Sequence, residues 1–241
     1  MQSALYVSLS AQVAMEKRLT TVAHNIANMT TGGFRADEIK FEELLSRAGK
    51  NDVSFASSGH NFISRQAGPL NKTDNPLDVA IQGDGWFAYN GPSGPVYTRD
   101  GRFNMNENGD LLTVDGHAVL DAGGTPIALD PNAGPPTISR DGTITQGGNQ
   151  VGIIGLFHLS SNSRLTRYGN SGVISSIPGE AVQDFTSNGI QQGHSEGSNV
   201  NPILEMTKMI ALQRNFDSAA TTIQESESTF MDAIRTLGPS S

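Results

Sequence analysis

The chain has 241 residues, 36% of them hydrophobic, with 27 glycines, 11 prolines, no cysteine and a net charge of −8. Lacking cysteine, it has no disulfide, thiolate metal site or cysteine nucleophile. Its 16 Lys and Arg residues form no cluster beyond Lys17–Arg18. That argues against nucleic acid as a partner, because binding phosphate backbones needs several clustered cations.

The apolar fraction lies below the globular average of roughly 45–50%, which predicts a thin core. No run of 18 apolar residues is present, so no membrane insertion is expected. The N-terminus has no basic region before Lys17, and its early apolar residues are interleaved with Ser and Gln. A cleavable signal peptide is therefore not expected.

Residues 3–28 read as a helix with Ser3 as a possible cap and an apolar stripe of Leu5, Leu9, Val13, Leu19, Val22 and Ile26. Thr30-Thr31-Gly32-Gly33 should end it, since β-branched residues and paired glycines disfavour continuation. Residues 34–75 read as an extended arm or hairpin. Phe41-Glu42-Glu43-Leu44-Leu45 could form a last amphipathic turn, and Val53–Ile63 alternates loosely.

From residue 76 to about 187, short apolar runs alternate with turn dipeptides, as in a central antiparallel all-β domain. Leu77–Ile81 and Trp86–Tyr89 lead, followed by runs near Val96–Thr98, Arg102–Met105, Leu111–Val114, Ala118–Leu120, Thr137–Ser139, Ile144 and Val151–Leu159. Asp84-Gly85, Asp100-Gly101, Asp115-Gly116 and Asp141-Gly142 read as hairpin turns, since Asp-Gly tolerates positive φ.

Residues 188–200 read as a flexible link. Asn201-Pro202 then predicts the start of a long helix over 201–241, Asn capping and Pro at its first position. This helix carries a seam of Met206, Met209, Phe216, Ala220, Ile223, Phe230, Ile234 and Leu237 on steps of three and four, broken only by Gln213 and Glu227. The fold class is thus α+β. Its apolar stripes sit at the two ends, where chains usually fray, and can be buried only against each other or against other chains.

Candidate chemistry is weak. Gly83-Asp84-Gly85-Trp86-Phe87-Ala88 fits a dinucleotide loop by spacing, but a strand follows where that loop needs a helix to hold pyrophosphate. A hairpin turn is expected instead. Asn104–Gly109 resembles the start of a calcium loop, with Asp115 in the twelfth place. Its first ligand is Asn, its twelfth is Asp and no helices flank it, so a β-turn is expected. His24, His60, His117, His158 and His194 show no metal-ligand spacing. Trp86 should pack in the core. No catalytic, cofactor-binding or metal residue, no cofactor and no small-molecule substrate is expected. The chain does not read as an enzyme.

Four motifs carry a resemblance. Asn25-Ile26-Ala27-Asn28-Met29-Thr30-Thr31-Gly32-Gly33-Phe34-Arg35 matches an Asn-x-Ala-Asn, Thr-x-Gly-aromatic-basic signature, through Asn25, Ala27, Asn28, Thr31, Gly33, Phe34 and Arg35. Asn75–Phe87, Tyr97–Gly101 with Phe103 and Asn108-Gly109, and Glu196–Pro202 leading into Glu205-Met206 and Ala211–Arg214 follow in order. Together they resemble the bacterial flagellar rod and hook family over nearly the whole chain. The length favours its two large rod branches. Gly197, Pro202 and the Gly83–Phe87 run favour the proximal branch over the distal one.

The resemblance implies a structural subunit whose N-terminal segment (1–33) and C-terminal segment (201–241) pair as a coiled coil lining a tubular shaft, with the β-domain outside. It also implies a rod in the periplasm that transmits torque, export by the flagellar type III apparatus without cleavage, and partners that are copies of the chain and other rod proteins. A secreted β-domain with an oligomerising stalk is the rival reading, and a cell-wall enzyme a second. The first needs only one coiled-coil segment, and the second needs a paired carboxylate or a metal site.

Overall fold

The computed structural model describes residues 2–40, 43–46, 53–56 and 60–237. The chain divides into two compact units. One comprises Met1–Ala27, Asp37–Asn61 and Asn201–Ser241; the other comprises Asn28–Ala36 and Phe62–Val200.

The first unit is built on α1 (Gln2–Ala27) and α2 (Pro202–Leu237), which lie in contact. At 1.5 Å per residue they span about 39 and 54 Å. The start of α2 is as the sequence predicts. Asn201 accepts from the Leu204 amide through Oδ1 at 3.2 Å, and its carbonyl accepts from Glu205. Between the helices in sequence come β1 (Asp37–Lys40), β2 (Glu43–Ser46) and β3 (Val53–Ala56). β2 and β3 form an antiparallel hairpin pairing Leu44 with Phe55, and β3 lies against α1. Glu43–Ser46 is therefore strand rather than a helical turn, while Phe41 and Glu42 lie outside the described residues.

Strand β4 (His60–Ile63) straddles the division. The second unit continues with β5 (Leu70–Lys72), β6 (Val79–Gln82), β7 (Gly85–Gly91), β8 (Gly94–Thr98), β9 (Asn104–Met105) and β10 (Leu111–Leu112). Then come β11 (Thr137–Ile138), β12 (Thr143–Gln146), β13 (Asn149–Ile153), β14 (Leu156–His158) and β15 (Leu165–Tyr168). The last are β16 (Gly172–Ser175), β17 (Glu180–Ala181), β18 (Gly189–Gln192) and β19 (His194–Glu196).

An antiparallel six-stranded sheet, in the order β15-β16-β8-β7-β14-β17, organises this unit. Side chains alternate across a strand, and β7 uses both faces. Phe87 joins Val79, Phe103, Leu111, Ile144 and Ile190 on one side; Trp86 and Ala88 join Tyr97, Phe157 and Val173 on the other. Burying both faces of one sheet lets a modest apolar content make two cores.

Two of the expected hairpins form: Thr113 to His117 across Asp115-Gly116, and Ser139 to Thr143 across Asp141-Gly142. The other two do not. β6 pairs with β18, not with β7, so Gly83–Gly85 is a corner between sheets. The Asp84 amide there donates to Asn188 Oδ1. The Gly101 carbonyl accepts from the Val79 amide. An Asp-Gly pair supplies only local backbone freedom, whereas long-range burial chooses the partner strand. The sharp hairpin of the sheet is instead β7–β8, which turns at Pro92-Ser93 between the paired Gly91 and Gly94. Residues 188–200 are not a loose link either. Despite their Gly and Asn content they supply β18 and β19, with Ile190 and Glu196 buried.

Candidate assembly interface

The seam residues do not lie on one face of each helix. On α1 the buried side is Ala14, Thr21, Val22 and Asn25, whereas Leu9 and Val13 are half exposed, at 50% and 49%. Leu19 and Ile26 are half-buried. At 100° per residue, Leu9 and Val13 lie roughly 140° around the helix from that buried side. The step of six from Val13 to Leu19 is where the sequence stripe changes face.

On α2, Met209, Phe216, Ala220 and Ile223 are half-buried, and Met206 is 46% exposed. Met206 shares its side of the helix with Ile203 and Ile210, exposed at 79% and 55%. Those three fall within about 60° of arc, some 100° from the Met209–Phe216–Ile223 side. The side chains of Leu5, Phe230, Ile234 and Leu237 lie outside those described.

Polar contacts join the helices at the root of α2. Asn25 Nδ2 donates to the Asp37 carbonyl at 2.9 Å, and the Asp37 amide donates back to Asn25 Oδ1 at 2.9 Å. The side-chain amide thus pairs with β1 as a neighbouring strand would. The same Nδ2 reaches Glu205 Oε2 at 3.3 Å, and Glu205, itself buried, accepts from Lys208 through Oε1. Asn28 closes the turn after α1, accepting from Thr31 through its carbonyl and its Oδ1.

In the other unit, Gly33, Phe34 and Arg35 are all buried, and Ala27, in the first unit, is exposed. Gly33 has φ +65, and a Cβ there would stand 2.1 Å from the Asp100 amide nitrogen. Gly33→Ala should therefore carry the left-handed cost of about 1–2 kcal/mol plus a forced backbone shift. Urea unfolding should show a loss at least that large.

Arg35, Arg99 and Glu196 form a buried ion triad that sequence reasoning missed. Arg35 Nη2 lies 2.7 Å from Glu196 Oε1, and Arg99 Nε lies 3.1 Å from Oε2. Arg99 also donates to the Gly83 and Gly85 carbonyls, holding the corner before β7. Burial outweighs the Glu196 carboxylate and brings the Arg35 guanidinium down to about 10, with Arg99 repelling it. Burial likewise lowers Arg99 despite Glu196. At about 10, Arg35 stays a cation near neutrality. Trp86 lies beneath them, its ring centre 5.7 and 5.8 Å from the two guanidinium carbons, so its core role includes a cation–π contact. The signal available in sequence was only that each of three separate motifs carries one member of the triad.

Of the Asn104–Gly109 segment, Asn104–Met105 is strand β9 and Asn106–Gly109 is the turn after it. Asn106 Oδ1 accepts from the Asn108 and Asp110 amides, and its Nδ2 donates to Asp110. Among the histidines, His24 contacts Asp37, His117 stacks on Tyr89 and His194 contacts Gln191; His60 and His158 are exposed. No group of three or more His, Cys, Asp or Glu placed to hold a metal occurs among the described residues.

Three family patterns match the chain. "Flagella basal body rod protein" covers residues 5–35, "Flagellar hook protein FlgE/F/G D1 domain" 80–146, and "Flagellar basal body rod FlgEFG protein C-terminal" 191–236. The chain is 52% identical to flagellar basal-body rod protein FlgF of Mesorhizobium japonicum and 45% identical to FlgF of Rhizobium meliloti, in each case over the full length of both chains. It is 31% identical to flagellar basal-body rod protein FlgG of Bacillus subtilis, over 97% of this chain and 98% of the relative. The chain belongs to the flagellar basal-body rod protein family, and within it resembles these FlgF proteins more than this FlgG protein.

Proposed function

We propose that this chain is a structural subunit of the proximal flagellar rod, and that it polymerises through α1 and α2 into the torque-bearing shaft. The observation that carries the reading is the pair of apolar stripes left over after α1 and α2 meet: Leu9 and Val13 on one helix, Ile203, Met206 and Ile210 on the other. Solvent-facing apolar rows on both helices of one unit suit a second copy as their cover. A contact between two different surfaces does not close on itself and propagates into a helical filament. Full-length similarity to FlgF proteins supports the rod as that filament.

The two helices pair as a coiled coil, through the Met209–Phe216–Ile223 side of α2 and the Ala14–Val22 side of α1. Bundles with knobs packed in holes resist bending, as a drive shaft requires. Other rod proteins, proximal and distal, cover the ends of the polymer. The subunit works in the periplasm, reached through the flagellar type III apparatus.

In the free subunit the second unit is folded and the helical ends are largely disordered, so that their ordering is coupled to polymerisation. Circular dichroism of the dilute monomer tests this. Helix content well below that of two helices of 26 and 36 residues, rising on polymerisation, is expected. Two fully formed helices in dilute monomer would sink the coupling.

A further inference from the structure

Within the second unit, three stretches far apart in sequence are tied together beside the antiparallel pair of β5 and β19. The Gly33 amide donates to the Glu196 carbonyl at 2.8 Å, and Asn199 N donates to the Phe34 carbonyl. Ser64 N donates to the Ala36 carbonyl and Gly197 N to the Pro69 carbonyl, both at 2.8 Å. Asn199 bridges two of the stretches, accepting from Ala36 N at 2.7 Å and donating to the Gln66 carbonyl at 2.9 Å. Glu196 sits at the centre. Its Oε1 accepts from Gly68 N at 3.0 Å while its carboxylate faces Arg35 and Arg99.

This arrangement is expensive if stability alone is the aim. Two guanidiniums share one carboxylate, and all three side chains are at most 2% exposed. Arg35 Nε and Nη1 make no hydrogen bond. Apolar residues of similar volume often serve a core as well or better than buried charges. What the ions add is direction, since a carboxylate between two cations can be satisfied only in one placement of the segments that carry it.

We propose that Glu196 is a positioning residue: it latches residues 33–36 beside residues 196–199. These are the two stretches that continue into the arm at Asp37 and into α2. The roots of the arm and of α2 are then set side by side in the free subunit, before copies meet. Pre-organising the roots lowers the ordering cost of assembly. The inference rests on the reading that the terminal helices polymerise, but the latch itself can be tested without a polymer.

The test is amide hydrogen exchange on the full-length monomer, wild type against Glu196→Gln. The glutamine keeps an acceptor for Gly68 and removes the charge. In the wild type, residues 33–36 and 197–199 should exchange as slowly as β7 and β12. In E196Q they should exchange at least 100-fold faster, with β7 and β12 still protected. Emission of Trp86, the sole tryptophan, should shift. Glu196→Asp, which keeps the charge, should restore part of the protection.

If E196Q does not fold, the apolar triple variant Arg35→Met, Arg99→Met, Glu196→Leu takes its place; it should stay folded yet expose the same two stretches. Unchanged protection of 33–36 and 197–199 in the folded variant overturns the proposal. So does an equal loss across the whole unit, which would make the triad a stability element only. Failure of the polymerisation reading would show separately, as normal assembly of an Ile210→Asp subunit.

Discussion

Replacing Ile210 with aspartate should abolish rod assembly while leaving the second unit folded and the α1-facing side of α2 unaltered. Ile210 is 55% exposed and lies off the side of α2 that holds the half-buried Phe216 and Ile223. In the free subunit the aspartate stays hydrated and costs little. Once a neighbouring copy covers it, an unpaired carboxylate in an apolar contact costs several kcal/mol, repeated at every subunit. Phe216→Asp and Ile223→Asp should also prevent assembly, by breaking the helix pair itself.

The two classes separate by measurement. Crosslinking of α1 to α2 within one subunit, with the osmolyte trimethylamine N-oxide added to favour burial without a neighbouring copy, should survive Ile210→Asp and fail in Phe216→Asp. The near-ultraviolet signal of Trp86 should persist in both. Motility restored to normal by the Ile210→Asp subunit in a strain lacking the wild-type protein would refute the outer stripe.

The second large effect concerns the core that carries everything else. Phe87→Ala should destabilise the second unit by about 3–5 kcal/mol, the range for emptying a buried aromatic site. Phe87 is fully buried between β6 and the Phe103 ring, whose centre lies 5.3 Å away in an edge-on arrangement. Its own strand, β7, is paired on both sides, with β8 and β14, so the site has little room to collapse. Against a typical domain stability of 5–15 kcal/mol, such a loss consumes a large part of the total. Urea unfolding followed by Trp86 emission reads it; a loss under 1 kcal/mol would mean that the sheet does not divide the core as described.

Elements whose signals are local were legible in the sequence. The Asn201-Pro202 start of α2 and the Thr30–Gly33 end of α1 rest on caps and breakers that act within a few residues. Strand-forming runs such as Trp86–Tyr89 were equally clear. Partner choice was not legible. β6 joins β18 across a hundred-odd residues of chain, and nothing near Gly83–Gly85 encodes that. β15 to β19 were missed because strands of two to four residues with Gly, Ser and Asn between them carry no period of their own; neighbours already in place recruit them.

The helix stripes were read from spacing, and spacing alone does not say which of two apolar sides meets the partner within the chain. Leu9 and Val13 read in sequence as part of one stripe with Val22 and are half exposed in the structure, while Ala14, Val22 and Asn25 are buried on another side. The triad was hidden for a different reason. Arg35, Arg99 and Glu196 each look like an ordinary surface charge, and only the fold brings them together.

The central claim is that this chain builds the rod through its two ends. Electron cryo-microscopy of purified basal bodies tests it most directly. The account predicts copies of the chain in the proximal rod, with α1 and α2 of adjacent copies packed together through Leu9, Val13, Ile203, Met206 and Ile210. Copies whose contacts run through the strand-built unit, with those five side chains still facing solvent, would contradict it.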